Sequence, residues 1–221
     1  MPGELPPGQR PAPHEPFGLP QFGGVRARSG PGHRVSVGGT ARHPAQFGIA
    51  ELLGAGQRCV RTSDLHCVTT WSAIGLTWEG VRFADVYRLL AERVVPHPGV
   101  RWVRFTGLDG YSSTLFLDDA LAADVLLADR LSGAELTDTF GAPLRLVAPA
   151  HYGYKNVKQV CAIDFLRSYD PGQARIISHP RGRVDREERG RVLPGRFWRA
   201  VWPGQVERVR ALFRAELDEP R

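Results

Sequence analysis

The sequence predicts an α+β fold in which mixed β-sheets are combined with a few helices. Most apolar segments are short and rich in β-branched or aromatic residues, and one segment has clear helical periodicity. Strands and helices do not alternate in the regular manner of a βαβ chain. The 221 residues include 42% hydrophobic and 24% charged residues, which is ordinary for a globular protein with a sizeable core.

The predicted strands follow one another from Arg34 onward. The first is RVSVGG, and the second, QRCVRT, alternates apolar and polar residues with period two. RWVRFT and YSSTLFL are β-rich and flank LDG, which is typical of a turn. Two more strands are predicted in PLRLVAP and VKQVCAIDFL.

Helices are predicted in three places. QFGIAELLG has the pattern of a short helix that ends at Gly54, and a last helix is predicted from Gln205 to Leu217. The segment FADVYRLLAERV predicts an amphipathic helix, because its apolar residues recur at helical spacing. These residues are Phe83, Val86, Tyr87, Leu89 and Leu90.

Composition divides the chain into three parts. Residues 1–34 contain eight Pro and seven Gly, so an extended arm laid over the core is predicted there. Residues 35–170 form the predicted functional domain. Residues 171–221 form an Arg-rich extension that carries the terminal helix.

The net charge of +6 first suggests nucleic acid as a partner. The charge lies at the two ends, however: residues 1–34 carry +2, residues 35–172 carry −1 and residues 173–221 carry +5. No nucleic-acid partner is therefore predicted. Of the 29 basic residues, 27 are Arg, and the two lysines are Lys155 and Lys158.

The three cysteines, Cys59, Cys67 and Cys161, cannot all pair and form no CxxC motif. A reducing compartment is expected on this basis. No apolar run approaches the roughly 18 residues of a membrane span, and MPGELPPGQR lacks the apolar region of an export signal. These observations favour a cytoplasmic protein.

The segment LHCVTTWS places Cys67 directly after a predicted strand. A thiolate is both a nucleophile and a soft metal ligand, whereas a free cysteine is also among the most buried residue types. Residue types alone leave open a structural cysteine and a Cys/His thiol hydrolase with His151 as the base. A zinc site built from Cys59, His66, Cys67 and His151 lacks any recognised ligand spacing.

The segment GAPLRLVAPAHYGYKNVKQV gathers Arg145, Lys155 and Lys158 within 14 positions. Glycine permits close approach to a ligand, the cations suit a phosphate, and Asn156 can both donate and accept hydrogen bonds. The alternative is a pair of exposed strands with solvated cations.

Together these segments resemble the molybdopterin-binding domain of the sulfite oxidase family. The resemblance is carried in unbroken order by LHCVTTWS, WEGVRFADVYRLL, VRFTGLDGYSSTLFLDDAL, LLADRLSG and the segment with G-x-P-x-R-x-x-x-P and YG-x-K-x-x-K. It covers roughly residues 35–167. CV followed by WS is more similar to the bacterial stand-alone branch, which includes protein-methionine-sulfoxide reductase catalytic subunits, than to animal and plant sulfite oxidases.

The resemblance implies a sulfite-oxidase-type fold and a molybdopterin cofactor with molybdenum. Cys67 would be the catalytic residue and the protein's ligand to the metal. The implied activity is a two-electron oxygen-atom transfer on a small or S/N-oxide-type substrate, with electrons exchanged through a separate partner protein. The resemblance assigns cofactor contacts to His66, Val68, Thr106, Arg145, Lys155, Asn156, Val157 and Lys158.

The chain departs from the family pattern at two places. Phe140 stands where relatives have Asn before the GAP tripeptide. Val68 to Trp71 replace the Arg-bearing sequence that follows the metal-binding cysteine of sulfite oxidases, so sulfite is not the expected substrate. A haem domain and the family's dimerisation domain are not expected in a chain of this length. Other candidates for the substrate mouth are Trp71, Trp78, Asp109, Tyr111 and His151.

Two other hypotheses remain beside this one. The first is a catalytically silent binding module that keeps the fold and reaches an acidic partner with its Arg-rich tail. The second is the Cys67/His151 thiol hydrolase.

Overall fold

The computed structural model describes residues 5–22, 25, 30, 32–174 and 178–218. Within these residues the chain forms eleven strands and five α-helices, which confirms the predicted α+β class with mixed sheets. The strands are β1 (Arg10–Pro11), β2 (Arg34–Gly39), β3 (Ala45–Gly48), β4 (Arg58–His66), β5 (Trp71–Arg82), β6 (Trp102–Gly107), β7 (Ser112–Phe116), β8 (Leu126–Leu131), β9 (Ala134–Glu135), β10 (Arg145–Val147) and β11 (Val160–Leu166). The helices are α1 (Ile49–Leu53), α2 (Phe83–Arg93), α3 (Leu117–Ala120), α4 (Gly195–Val201) and α5 (Val206–Asp218).

The strands form two sheets. The first has the order β1-β5-β8-β10, with β4 paired to β5 and β9 paired to β8. The second has the order β3-β2-β11-β6-β7. Both are mixed, because β1 runs parallel to β5 and β2 runs parallel to β11, whereas the other pairs are antiparallel.

The predicted strands and the two longer helices lie where the residue patterns place them. Helix α1 is shorter than expected, because Ala45–Gly48 pair with β2 before the helix begins at Ile49. Helices α3 and α4 were not predicted, since four and seven residues are too few to show a helical period.

The main hydrophobic core lies between the sheets and includes residues from both. Helix α2 contributes Phe83, Val86 and Leu90, which are fully buried, and the Phe83 ring meets Phe105 of β6 edge to face at 5.1 Å. Burial of such a stripe supplies most of the stability of an amphipathic helix.

Both ends of the described chain pack against the first sheet and the segment that joins β4 to β5. The arm adds β1 to the edge of β5, and the buried guanidinium of Arg189 donates to the carbonyls of Val68 and Pro7 at 2.7 and 2.8 Å. Further arginines of the C-terminal extension form ion pairs within the chain: Arg181–Asp119, Arg183–Glu188, Arg199–Glu187 and Arg214–Glu15. Throughout the described ranges, every helix is too short or too polar to cross a bilayer.

Candidate functional site

Cys67 lies in a tight turn between β4 and β5. The Cys67 amide donates to the carbonyl of Trp71 at 2.8 Å, and the Thr70 amide donates back to the carbonyl of Cys67 at 3.2 Å. Thr70 has a φ of 77°, in the left-handed region that β-branched residues rarely adopt. The surrounding structure holds this strained turn, which presents Cys67 at the end of two paired strands.

The Cys67 thiol is almost completely enclosed, with 8% of the residue exposed. Its Sγ lies 3.0 Å from the hydroxyl of Thr69. Burial raises the pKa of the thiol, because a thiolate is poorly solvated in an apolar site. Coordination to a metal would reverse this preference, since a metal-bound thiol is deprotonated.

A buried hydrogen-bond chain connects the arm to this turn. Gln9 Nε2 donates to the carbonyl of Cys67 at 3.0 Å, and Ser72 Oγ donates to Gln9 Oε1 at 3.1 Å. His66 Nδ1 lies 2.8 Å from Ser72 Oγ. Because the single Ser72 hydroxyl proton goes to Gln9, His66 must donate from Nδ1, and its tautomer is thereby defined.

Arg145 of β10 is a buried cation with unused hydrogen-bonding capacity. One of its terminal nitrogens donates to the carbonyl of Phe140 at 2.8 Å, and its guanidinium stacks 4.6 Å above the Trp78 ring. Its Nε is buried without a hydrogen-bond partner among the described residues. Burial lowers the pKa of Arg145 to about 10, so the site destabilises its charge unless an anion enters.

Lys158, which is partly buried, lies beside Arg145 as a second cation. Its Nζ donates to the carbonyl of Thr139 at 3.2 Å. Burial, together with the charge of Arg145, lowers the pKa of Lys158 to about 8. Gly141 permits this approach, because its φ is 109° and a Cβ there would come within 3.0 Å of Arg145 and 3.1 Å of Lys158. Two adjacent cations with destabilised charges favour binding of an anion.

One cavity of about 260 Å³ joins the Cys67 turn to this pair of cations. Its inner wall contains Cys67, Val68, Arg145, Asn156 and Lys158, so five of the predicted site residues line one space. Trp71, Asp109, Tyr111 and Phe140, which the sequence had also singled out, line it as well.

The outer wall of the cavity comes from the two ends of the chain. On one side it is lined by residues 14–22 of the arm without Gln21. On the other side it is lined by Trp202, Val209 and Phe213. The His14 ring stacks on Phe140 at 4.6 Å beside the two cations. Sequence reasoning missed all these residues. The only signals available were the predicted packing of the arm and the apolar positions of the terminal helix.

Four predicted cofactor contacts lie outside the lining of this cavity. Lys155 Nζ donates to the carbonyls of Thr114 and Pro180 at 2.5 and 2.8 Å, and Val157 is part of the main core. Thr106 pairs within the second sheet, and His66 is held by Ser72 behind the turn. Their roles in binding the cofactor stay predictions. Asn156 lines the cavity, while its side-chain oxygen accepts the amide of Ala148 at 2.7 Å.

The structure offers no support for the hydrolase or zinc alternatives. The His151 ring is buried 3.5 Å from the carboxylate of Asp119, and neither ring nitrogen forms a hydrogen bond with any described residue. The thiol of Cys67 contacts Thr69 instead. In the part of the chain that the structure describes, no three His, Cys, Asp or Glu side chains are grouped as metal ligands.

Comparison with known proteins identifies the family. The family model for the oxidoreductase molybdopterin binding domain matches residues 23–174, which is more than half of the chain. The chain belongs to this family. The predicted resemblance is thereby confirmed, and the chain is a molybdopterin-binding oxidoreductase whose cofactor is molybdopterin with its molybdenum.

Two relatives show how far the likeness to other members of the molybdopterin-binding oxidoreductase family extends. The uncharacterized oxidoreductase YuiH of Bacillus subtilis is 34% identical over 138 residues, which are 62% of this chain and 67% of YuiH. The protein-methionine-sulfoxide reductase catalytic subunit MsrP of Xanthomonas axonopodis is 33% identical over 147 residues. That match covers 60% of this chain but 44% of MsrP.

Among solved structures, the sulfane dehydrogenase SoxCD from Paracoccus pantotrophus has the same fold. The TM-score is 0.53 at 21% identity, covering 64% of this chain and 39% of the SoxCD chain. The predicted sulfite-oxidase-type fold is therefore confirmed.

The residues of the cavity fit this cofactor. Cys67 provides a thiol of the kind that binds a soft, redox-active metal, and the unpaired Nε of Arg145 and the amine of Lys158 suit a phosphate. A cavity that holds both kinds of group can accommodate a ligand that has a metal at one end and an anion at the other.

Proposed function

We propose that this oxidoreductase catalyses two-electron oxygen-atom transfer on a small S-oxide or N-oxide. The observation that carries the proposal is the single cavity shared by Cys67 and the Arg145–Lys158 pair. When bound, the cofactor supplies a metal centre that exchanges an oxygen atom and two electrons with the substrate.

In this proposal, each wall of the cavity has a separate task. Cys67 holds the metal end, while Arg145 and Lys158 bind the anionic end and so fix the orientation of the cofactor. Asp109 lines the same cavity, and burial raises the pKa of its carboxyl group. A carboxyl group that keeps its proton longer than usual can deliver it to an oxygen that leaves as water.

The identity of the substrate and of the electron donor also belongs to the proposal. In the described lining, the positions directly after Cys67 are Val68 and Thr69, and neither offers a positive charge to a sulfite ion. A neutral oxide is therefore favoured over sulfite. Its reduction consumes two electrons, and we propose that a separate redox protein delivers them. The cytoplasmic location stays a prediction, in keeping with three free cysteines.

The proposal is tested with protein purified from a host that makes the cofactor. We expect one molybdenum per chain, and turnover of sulfoxides or N-oxides with a reduced viologen dye as the electron donor. Cys67→Ser should abolish turnover while leaving the circular dichroism spectrum unchanged. Cys59→Ser is the matched control, because Cys59 is a free cysteine on β4 that does not line the cavity.

Three results would contradict the proposal. Protein without molybdenum from a competent host would favour the silent binding module. Ester hydrolysis lost on alkylation of Cys67 would favour the hydrolase. A molybdenum-loaded protein that oxidises sulfite but reduces no oxide would show that the enzyme oxidises its substrate instead of reducing it.

A further inference from the structure

The outer wall of the cavity is built from the two chain ends, and apart from His14 and Glu15 its lining is apolar. We call the large apolar side chains of this wall the cover; they are Phe17, Leu19, Phe22, Trp202, Val209 and Phe213. On α5, Val206, Val209 and Phe213 recur at helical spacing, so one face of the helix points toward the cavity.

Ring contacts join the two halves of the cover to each other and to the Cys67 turn. Phe17 meets Trp71 edge to face at 5.4 Å and lies 6.3 Å from the Phe213 ring. Gly18 packs so closely on Phe213 that an added Cβ would come within 3.0 Å of the ring. An ion pair of 2.8 Å between Glu15 and Arg214 links the two halves at the surface.

The cover lies over Cys67 and not only over the cations. Cys67, Trp71 and Val206 belong to one buried cluster, against which Phe17 packs. Anything that reacts next to the Cys67 thiol must therefore fit between the turn and the rings of the cover.

Two indole groups beside the cover carry hydrogen-bond donors without partners. Trp71 Nε1 and Trp202 Nε1 are buried without hydrogen-bond partners among the described residues, and both rings line the cavity. A buried indole N–H usually has an acceptor. Unused neutral donors among apolar rings match a ligand that combines an acceptor oxygen with apolar substituents.

We propose that the cover selects small, neutral S-oxides that carry an aromatic or alkyl group, and excludes methionine sulfoxide within folded proteins. This inference rests on the function proposed above and specifies its substrate class. The S–O bond breaks, sulfur is reduced by two electrons from two molecules of reduced viologen, and oxygen leaves as water with two protons. The indole N–H groups hold the oxygen, and the rings of the cover bury the substituent.

The test uses the molybdenum-loaded protein with three substrates: methyl phenyl sulfoxide, free methionine sulfoxide and a folded protein whose surface methionines are oxidised. We expect kcat/KM for methyl phenyl sulfoxide to exceed that for free methionine sulfoxide by about tenfold, since burial of a phenyl ring is worth at least that factor. The oxidised protein should show no turnover.

Two variants open the cover, and a third variant is the matched control. Phe213→Ala removes a ring from α5, and Phe17→Ala removes one from the extended arm, where no helix depends on it. Each should raise KM for methyl phenyl sulfoxide by about tenfold and allow slow turnover of the oxidised protein. Leu212→Ala lies on the exposed side of the same helix and should change neither value.

Binding of the product gives a readout that does not depend on turnover. Calorimetric titration with methyl phenyl sulfide should give a Kd that weakens about tenfold in both cover variants and stays unchanged in Leu212→Ala. Equal kcat/KM for free and protein-bound sulfoxide in the wild-type protein, or an unchanged Kd in both cover variants, would overturn the inference alone. A loaded protein that turns over no oxide would overturn the proposed function as well.

Discussion

Gln9 and Cys67 are 58 residues apart in the chain, yet the side-chain amide of Gln9 donates to the carbonyl of Cys67 at 3.0 Å. The arm thus forms part of the wall behind Cys67, the proposed metal ligand. Its strand β1 pairs with Trp71 and Ser72, directly after the turn. Arm and turn therefore depend on each other for their geometry.

Replacement of Gln9 by Ala should destabilise the Cys67 turn. The variant removes the two buried hydrogen bonds of Gln9 and leaves the Cys67 carbonyl only its bond from the Thr70 amide and the Ser72 hydroxyl only its contact with His66. This loss costs about 1–3 kcal/mol in the free energy of unfolding. Urea denaturation of cofactor-free protein measures this loss, and molybdenum retention during dialysis should fall with it. Gln21→Ala, at an exposed position of the same arm, is the control. Equal stability of both variants would show that the arm does not support the turn.

Replacement of Arg145 by Met should have opposite effects on stability and on cofactor binding. Without the cofactor, a buried cation that lacks a counter-charge is costly, so the free energy of unfolding should rise by roughly 1–3 kcal/mol. The molybdenum content should fall at least tenfold, because the anionic end loses its main partner. Arg61→Met, an exposed substitution on β4, should change neither quantity. A drop in stability together with full molybdenum content would contradict the assignment of Arg145.

Six of the eleven strands and the inner half of the site could be predicted because their signals are local. Period-two alternation places β4, a β-rich composition places β6, and the segment around Arg145 and Lys158 contains its cations within 14 positions. The cover depends on contacts between residues about 200 positions apart, such as Phe17 with Phe213, and no local pattern encodes such a contact. Lys155 is a second case that a local pattern does not resolve. It shares the motif with Lys158, but its side chain lies between two carbonyls and two tyrosine rings.

Replacement of Thr70 by Gly should stabilise the protein. Thr70 adopts a φ of 77°, which costs a β-branched residue about 1–3 kcal/mol, whereas Gly adopts it freely. After the extra chain entropy of Gly is subtracted, the free energy of unfolding should rise by about 0.5–2 kcal/mol. Thermal and urea denaturation measure this change. Thr62→Gly, in the extended middle of β4, should instead be destabilising, and the same sign for both variants would exclude strain at Thr70.

The two lysines should make stability depend on pH in separate windows. Burial lowers the pKa of Lys155 to about 7 in the folded protein, from an ordinary value of 10.5. Between these values the unfolded chain binds one more proton than the folded chain, so stability rises with pH, by up to about 1.4 kcal/mol per unit. Below pH 7, Lys155 is protonated in both the folded and the unfolded chain, so its contribution to stability no longer changes with pH. For Lys158 the corresponding window begins at about 8.

Lys155→Met and Lys158→Met separate these two windows. Between pH 7 and 8, only Lys155 loses its proton when the chain folds. In cofactor-free protein, Lys155→Met should therefore remove the rise in the free energy of unfolding over this range, whereas Lys158→Met should retain it. Above pH 8, each variant should keep the rise in the free energy of unfolding that its remaining lysine causes. Urea denaturation at half-unit steps of pH measures both slopes. Parallel curves for the wild type and Lys155→Met over pH 7–8 would mean that Lys155 keeps its full charge in the folded protein, in spite of its burial between the carbonyls of Thr114 and Pro180.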